Sequence, residues 1–299
     1  MEKIDFIVNN NISNIIPLNK GWSGDLKYIL IAPDEKKYLL RISEAEKTEK
    51  RKRQFELLKQ IEKLDTNCSK PIDFGILDNG KSYMILSYLE GLDAEETIVN
   101  FSDTEAYRLG LEAGCILKKL HSLSIPLQNE SWWDRYQVKM KRKIDALKGC
   151  AYKIPMQEEI IKYYEENAYL MKDRPLLFTH GDYHLGNMVI HNGHIGIVDF
   201  DKANASDPYD EFKPFCWNVM GNEYFETGLI NAYFNNDIPA DFFKILKFYT
   251  AESLISHLPW AVSFGDEEIE CANMLAENQM KWYENFKLEV PTWYKGIIE

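Results

Sequence analysis

The sequence predicts an α+β chain in two parts, a small β-rich part over residues 1–88 and a larger, mainly helical part over residues 89–299. Three observations predict it. Short apolar runs bounded by turn residues fill the first part, and apolar residues recur at helical spacing from about residue 92 onward. A compact polar stretch at 180–201 then interrupts the helices with a single hairpin pattern. At 299 residues the chain can bury a large core and divide into two lobes. With 45% hydrophobic and 27% charged residues it has the balance of a globular protein, and it shows no repeat or low-complexity segment.

Gly21–Trp22–Ser23–Gly24–Asp25 forms a turn before the strand Lys27–Ile31, and Pro33–Lys36 turns the chain into a second strand, Tyr38–Ile42. Residues 46 to 64 follow with helical spacing. Gln54, Leu57, Leu58 and Ile61 fall at i, i+3, i+4 and i+7, so Gln54 lies on the buried stripe and Glu49 and Glu56 on the opposite face. Pro71–Leu77 and Lys81–Ser87 make a hairpin around Asn79–Gly80, leading into Ser87–Gly91. Ser102–Asp103–Thr104–Glu105 is a capping box. It opens a helix to about Ser122 with Leu109, Ala113, Ile116, Leu117 and Leu120 inward. Trp132, Trp133 and the stretches 136–148 and 156–172 predict more helices, and three others close the chain around 223–235, 240–264 and 267–286.

The polar stretch reads His180–Gly181–Asp182–Tyr183–His184–Leu185–Gly186–Asn187, followed by Ile197–Val198–Asp199–Phe200–Asp201. Met188–His191 is a short strand, Asn192–Gly193 a type I′ turn, and His194–Asp199 the return. Such a hairpin brings Asn187 and Asp199 to one open end, beside Asp182. Strict pairing sets Asn187 opposite Val198, so a metal shared with Asp199 requires the strand to end there. These residue types suit phosphoryl transfer. Asp182 can accept the proton of an attacking hydroxyl, while Asn187 and Asp199 offer the hard oxygens that Mg²⁺ prefers, with nucleotide phosphates filling other positions.

The H-G-D-x-H-x-x-N form, with four residues between Asp182 and Asn187, resembles the aminoglycoside phosphotransferase family of small-molecule kinases; the Asp207–Pro208 pair fits as well. The resemblance implies a bilobal protein-kinase-like fold, ATP or GTP as phosphoryl donor, Mg²⁺, and transfer of the γ-phosphoryl group to a hydroxyl. It implies that the loop of Ser23 and Gly24 covers the phosphates and that Arg41 stands in the place of a phosphate-pairing lysine. It also makes Ser87–Gly91 the hinge, where backbone groups near Ser87 and Leu89 hold the base. Kinases place a glutamate on the following helix to pair with the strand cation. Here Gln54 faces inward, so either the pairing is weakened or the helix register differs by a turn. His121 resembles a family position and is expected to be structural.

Asp207 is expected to cap a helix, with Asp210 and Glu211 as candidates for substrate contact. The acids Asp266, Glu267, Glu268 and Glu270 suit substrate ammonium groups, although a helix amino terminus favours acids in any case. Thirty-five basic against 47 acidic residues give a net charge of −12, which speaks against nucleic acid or an anionic membrane as partner and tolerates a cationic small molecule. Five scattered cysteines, an amino terminus without a basic-then-apolar order, and no long apolar run point to the cytoplasm. The expected function is a small-molecule kinase acting on an aminoglycoside. Kinases of macrolides, choline, homoserine or methylthioribose are the alternatives, and a nucleotide-binding pseudokinase is a further one, motivated by the missing glycine-rich signature and by Gln54. Reading Asp199–Phe200–Asp201 as a glycosyltransferase D-x-D site leaves Asp182 and Asn187 without a role.

Overall fold

The computed structural model describes residues 4–18, 24–124 and 132–298. It divides into two compact units, Met1–Leu92 with Met188–Asp201, and Asp93–Asn187 with Lys202–Glu299.

In the first unit five antiparallel strands lie in the order Asn14–Pro17, Leu26–Ile31, Lys37–Ser43, Ser82–Ser87, Pro71–Ile76. Local chemistry closes the turns: Asp34 accepts from the Lys36 N–H, Asn79 from the Lys81 N–H, and Glu35 and Gly80 take positive φ. Strand alternation puts Tyr38, Leu40 and Ile42 on one face, where they pack with Leu30, Ile85 and the amino-terminal Ile4 and Ile12. Arg41 and Ser43 therefore belong to the opposite face, which the helix Thr48–Glu62 covers. That helix buries Arg51, Gln54, Phe55, Leu58 and Ile61, while Leu57, expected on the stripe, is only half-buried. Phe55 packs against Phe74 of the edge strand, centroids 5.6 Å apart. The inward face is thus rotated enough to bring an arginine under the sheet.

The hairpin Met188–His191/His194–Ile197 joins the same unit. Asn192 and Gly193, at φ 50° and 75°, make the type I′ turn. Its returning strand is docked on the segment before Pro71: the Ile197 N–H donates to the Asn67 carbonyl, the Ser69 N–H to the Ile197 carbonyl, and the Asn67 amide to the Ile195 carbonyl. The strand stops at Ile197, two residues short of its expected end, and Asp199 adopts a left-handed φ of 63°.

The second unit is built around helices. Asp103–Leu120 opens on the expected capping box and lies against Glu223–Tyr233 closely enough to require glycine. A Cβ on Gly110 would sit 2.0 Å from the Phe225 carbonyl oxygen, one on Gly114 2.2 Å from that of Leu229, and one on Gly228 2.3 Å from that of Tyr107. Phe242–Ala261 is buried on nearly every side, as befits a central helix, and packs with Trp132–Gly149, Gln157–Asn167 and Asp266–Trp282. The stretch expected to be helical to 172 ends at Asn167 and continues as a 3₁₀ turn, Ala168–Met171. Among the described residues no helix is long and apolar enough to cross a membrane.

Candidate active site

In the second unit the strand Leu177–Thr179 pairs with Asn204–Ser206 and releases the chain into the polar loop. Several buried anchors fix that loop. The two carboxylate oxygens of Glu211 accept the N–H groups of His180 and Gly181, each at 2.6 Å. Gly181 has φ 83°, and a Cβ there would lie 2.4 Å from the Lys202 carbonyl oxygen, so only glycine passes. The Leu185 N–H donates to Asn218 at 2.8 Å, and the Asn218 amide donates in turn to Glu226 at 2.7 Å. The Tyr183 hydroxyl reaches the Ala113 carbonyl.

Held this way, Asp182 keeps a partly exposed carboxylate (27%). Lys202 Nζ stands 2.9 Å from Oδ2 and His184 Nε2 3.7 Å from Oδ1. Burial pushes the carboxyl up, but hydrogen bonding and charge from His184 and Lys202 outweigh it and hold the group well below the usual carboxylate range. The Asn187 amide nitrogen donates to both the carbonyl and Oδ2 of Asp182. That fixes the amide so that Oδ1 is the oxygen left for another partner.

In the first unit Asp199 has a buried Oδ1 with no hydrogen-bond partner among the described residues. An unpaired buried carboxylate oxygen fits a divalent cation, which would supply the missing charge. Among the described residues no group of three or more His, Cys, Asp or Glu side chains forms a cluster suited to metal. Arg41 is buried. Its Nε donates to Asp25 at 2.5 Å, and Nη1 and Nη2 form a fork with the two oxygens of Asp201. The expected Gln54–Arg41 contact is replaced. Gln54 accepts from Arg51 and donates to Asp201, both at 2.8 Å, and Arg51 also donates to Asp25, Ser43 and Asp201. Neutralisation of the strand cation thus comes from Asp25 and Asp201 instead of from the helix.

The remaining candidates divide unevenly. Gly24 is at φ 66°, 3.9 Å from Lys47 Nζ if a Cβ is added, and Ser23 lies outside the described residues. The Ser87 N–H already donates to the Lys70 carbonyl, and its hydroxyl accepts from the Lys70 N–H, so Ser87 has no backbone donor for a base. Leu89 borders the space over Gly196. Glu211 is buried and its two oxygens accept the two loop N–H groups, so it anchors the loop. Asp210 pairs with Lys213 and Ser206. Asp207 caps the 3₁₀ turn Pro208–Phe212 and also binds Arg174 and Tyr249. His121 is buried, bonded to the Tyr233 hydroxyl at 2.8 Å and 3.6 Å from Glu211. Asp266, Glu267 and Glu270 are exposed and Glu268 is half-buried on the helix Asp266–Trp282. Lys139, Lys143 and Lys213 all approach Oε1 of the buried Glu252, at 3.4–3.7 Å. A cavity of about 400 Å³ lined by Trp133, Lys141, Asp145, Lys148 and Glu165 contains none of the candidates.

The model of a phosphotransferase enzyme family matches residues 14–240, three-quarters of the chain and all of this loop and hairpin. The chain belongs to the phosphotransferase enzyme family. Solved structures share the fold of this phosphotransferase at low identity. The gentamicin complex of APH(2″)-IIa is 18% identical, with 93% of this chain and 97% of that one covered and a TM-score of 0.66. The GDP complex of wild-type aminoglycoside 2′-phosphotransferase-IIIa is 14% identical, covering 92% and 95%, at 0.70. The amicoumacin kinase hAmiN, with AMP-PNP, Ca²⁺ and Ami, is 12% identical, covering 96% and 95%, at 0.64. No curated protein matches the phosphotransferase in sequence.

Proposed function

We propose that this phosphotransferase is a small-molecule kinase of the cytoplasm, moving the γ-phosphoryl group of ATP or GTP to a hydroxyl of a cationic substrate, an aminoglycoside first. The observation that carries the reading is Asp182, kept ionised by Lys202 and His184 and fixed by the Asn187 amide at the head of a loop with buried anchors. Such a carboxylate can orient a hydroxyl and accept its proton as the phosphorus–oxygen bond forms. Asn187 Oδ1 and Asp199 would hold Mg²⁺, which when bound would neutralise charge on the phosphates. Since phosphoryl transfer has a loose transition state, positioning by Glu211, Gly181 and Asn218 counts for more than the basicity of Asp182. Gly24 with Ser23 would cover the phosphates, and Leu89 would meet the base through its backbone. The nucleotide and aminoglycoside complexes among the structurally similar proteins support this choice of donor and acceptor.

A second reading, a kinase of a less cationic small molecule, is favoured by a specific observation. Glu211, Asp207 and Glu252 are committed internally, and three lysines gather beside the last. Of the candidate acids, Asp266, Glu267 and Glu270 are exposed and Glu268 is half-buried, and these would be left to meet ammonium. The test is incubation with ATP or GTP and Mg²⁺ against aminoglycosides, macrolides, choline, homoserine and methylthioribose, with products read by mass spectrometry. A singly phosphorylated aminoglycoside is expected. Product from another acceptor alone would select the second reading, and no product from any acceptor would remove both.

A further inference from the structure

Arg41 occupies the strand position where a phosphate-pairing cation is expected, yet its surroundings suit another task. It is 5% exposed, and all three of its nitrogens donate to carboxylates. Arg51, 2% exposed, is equally committed, to Ser43, Gln54, Asp201 and Asp25. Asp201 thereby accepts four hydrogen bonds, two from Arg41 and one each from Arg51 and Gln54. Asp25 accepts from Arg41, Ser43, Lys47 and Arg51 among the described residues. Within this lattice the formal charges of Arg41, Arg51 and Lys47 are met by two carboxylates. Moving an arginine out to meet a phosphate would take a charged partner from both Asp25 and Asp201 at once, which is costly in a buried site.

The lattice also lies where the sheet stops helping. The hairpin strand ends at Ile197, Asp199 is in the left-handed region, and Asp201 is the next point at which the backbone is pinned by charge. We infer that Asp201 is a positioning residue: Arg41 and Arg51 grip it to hold the Asp199 segment, and neither arginine serves as a phosphate ligand. Its consequence for metal binding rests on the proposed role of Asp199, but the grip itself does not.

The test exploits the difference between lysine and arginine. Arg41→Lys keeps the charge a phosphate needs and loses the two-pronged fork that Asp201 needs. Asp201→Asn removes the charge and keeps the shape. With thermal unfolding confirming that each variant is folded, hydrogen exchange is measured over residues 198–202 and over the hairpin 188–197. A grip predicts exchange faster by about tenfold or more in 198–202 of both variants, with the hairpin unchanged. Unchanged exchange there would overturn the inference, whether or not the chain is a kinase. Should Asp201→Asn not fold, Arg41→Lys alone decides.

Nucleotide binding is then titrated with ADP in EDTA and again with rising Mg²⁺. The inference expects the Mg²⁺ midpoint of Arg41→Lys to rise about tenfold while metal-free ADP affinity stays at the wild-type value. Lower metal-free affinity with an unchanged midpoint would make Arg41 a phosphate ligand and overturn the inference. If the wild-type chain binds no ADP under any condition, the kinase reading fails, and the exchange measurement still decides the grip.

Discussion

Asp182 has neighbours of different kinds: the Lys202 ammonium and the His184 imidazole on one side, and an amide that orients it without neutralising it. Asp182→Asn is expected to lower turnover by about 10²–10⁴-fold, the usual span of general-base catalysis, with nucleotide affinity nearly unchanged in a binding titration. Glu211→Gln tests the loop anchor. One of the two buried N–H groups loses its acceptor, so stability should fall by about 1–3 kcal/mol in denaturant unfolding, and turnover should fall with little change in nucleotide KM. Glu226 brings a pH dependence. Burial pushes its carboxyl up to about 8 although the Asn218 amide pulls it down, and its Oε1 has no partner among the described residues. Below the ordinary value near 4.5 both folded and unfolded chains carry the proton, and this contribution to stability is complete. Between about 4.5 and 8 only the folded chain keeps it, so stability falls as pH rises, by at most about 1.4 kcal/mol per unit, and levels off above 8. Glu226→Gln should remove that slope, as unfolding measured from pH 4.5 to 9 would show.

At the scale of elements, the contact between Asp103–Leu120 and Glu223–Tyr233 depends on three glycines that let backbones touch. Gly110→Ala should cost about 1–3 kcal/mol or more, because the atom it meets is a carbonyl that cannot rotate away; thermal unfolding reads the loss. Gly149→Ala is the control, since a Cβ there meets nothing within 4 Å and the change should be neutral or slightly stabilising. The helix Thr48–Glu62 shows how a correct element can carry an incomplete face. Its spacing identified Gln54, Leu58 and Ile61 as buried but gave no reason to single out Arg51, because an arginine is rarely buried without partners. Those partners, Asp25 and Asp201, come from just before the strand Leu26–Ile31 and from beyond the hairpin.

For the whole molecule, the first unit gathers chain from two distant places. The hairpin Met188–Ile197 docks on Asn67–Ser69, and Arg41 closes on Asp201 across 160 positions. Most of the fold was legible, because strands, turns and helix caps are written in residues a few positions apart: Asn192–Gly193, the Ser102 capping box, and the apolar stripe of Asp103–Leu120 each formed as expected. The polar loop was legible for the same reason, its H-G-D-x-H-x-x-N spacing being local. The anchors Asn218 and Glu226, the Lys202 partner of Asp182, and the true occupation of Glu211 were not, since each depends on which distant groups share a buried space.

Local pattern along the chain was enough for the family, the α+β character, the polar loop with its hairpin, and the residue types available for phosphoryl transfer. Which charges meet depended on the folded chain: Arg41 is balanced by Asp25 and Asp201, and Gln54 bonds Arg51 and Asp201. Local pattern records the period of a helix or strand and the chemistry of a turn. A buried ion pair has no period, and its partners are selected by the cost of leaving any one of them unpaired once the chain has closed around them.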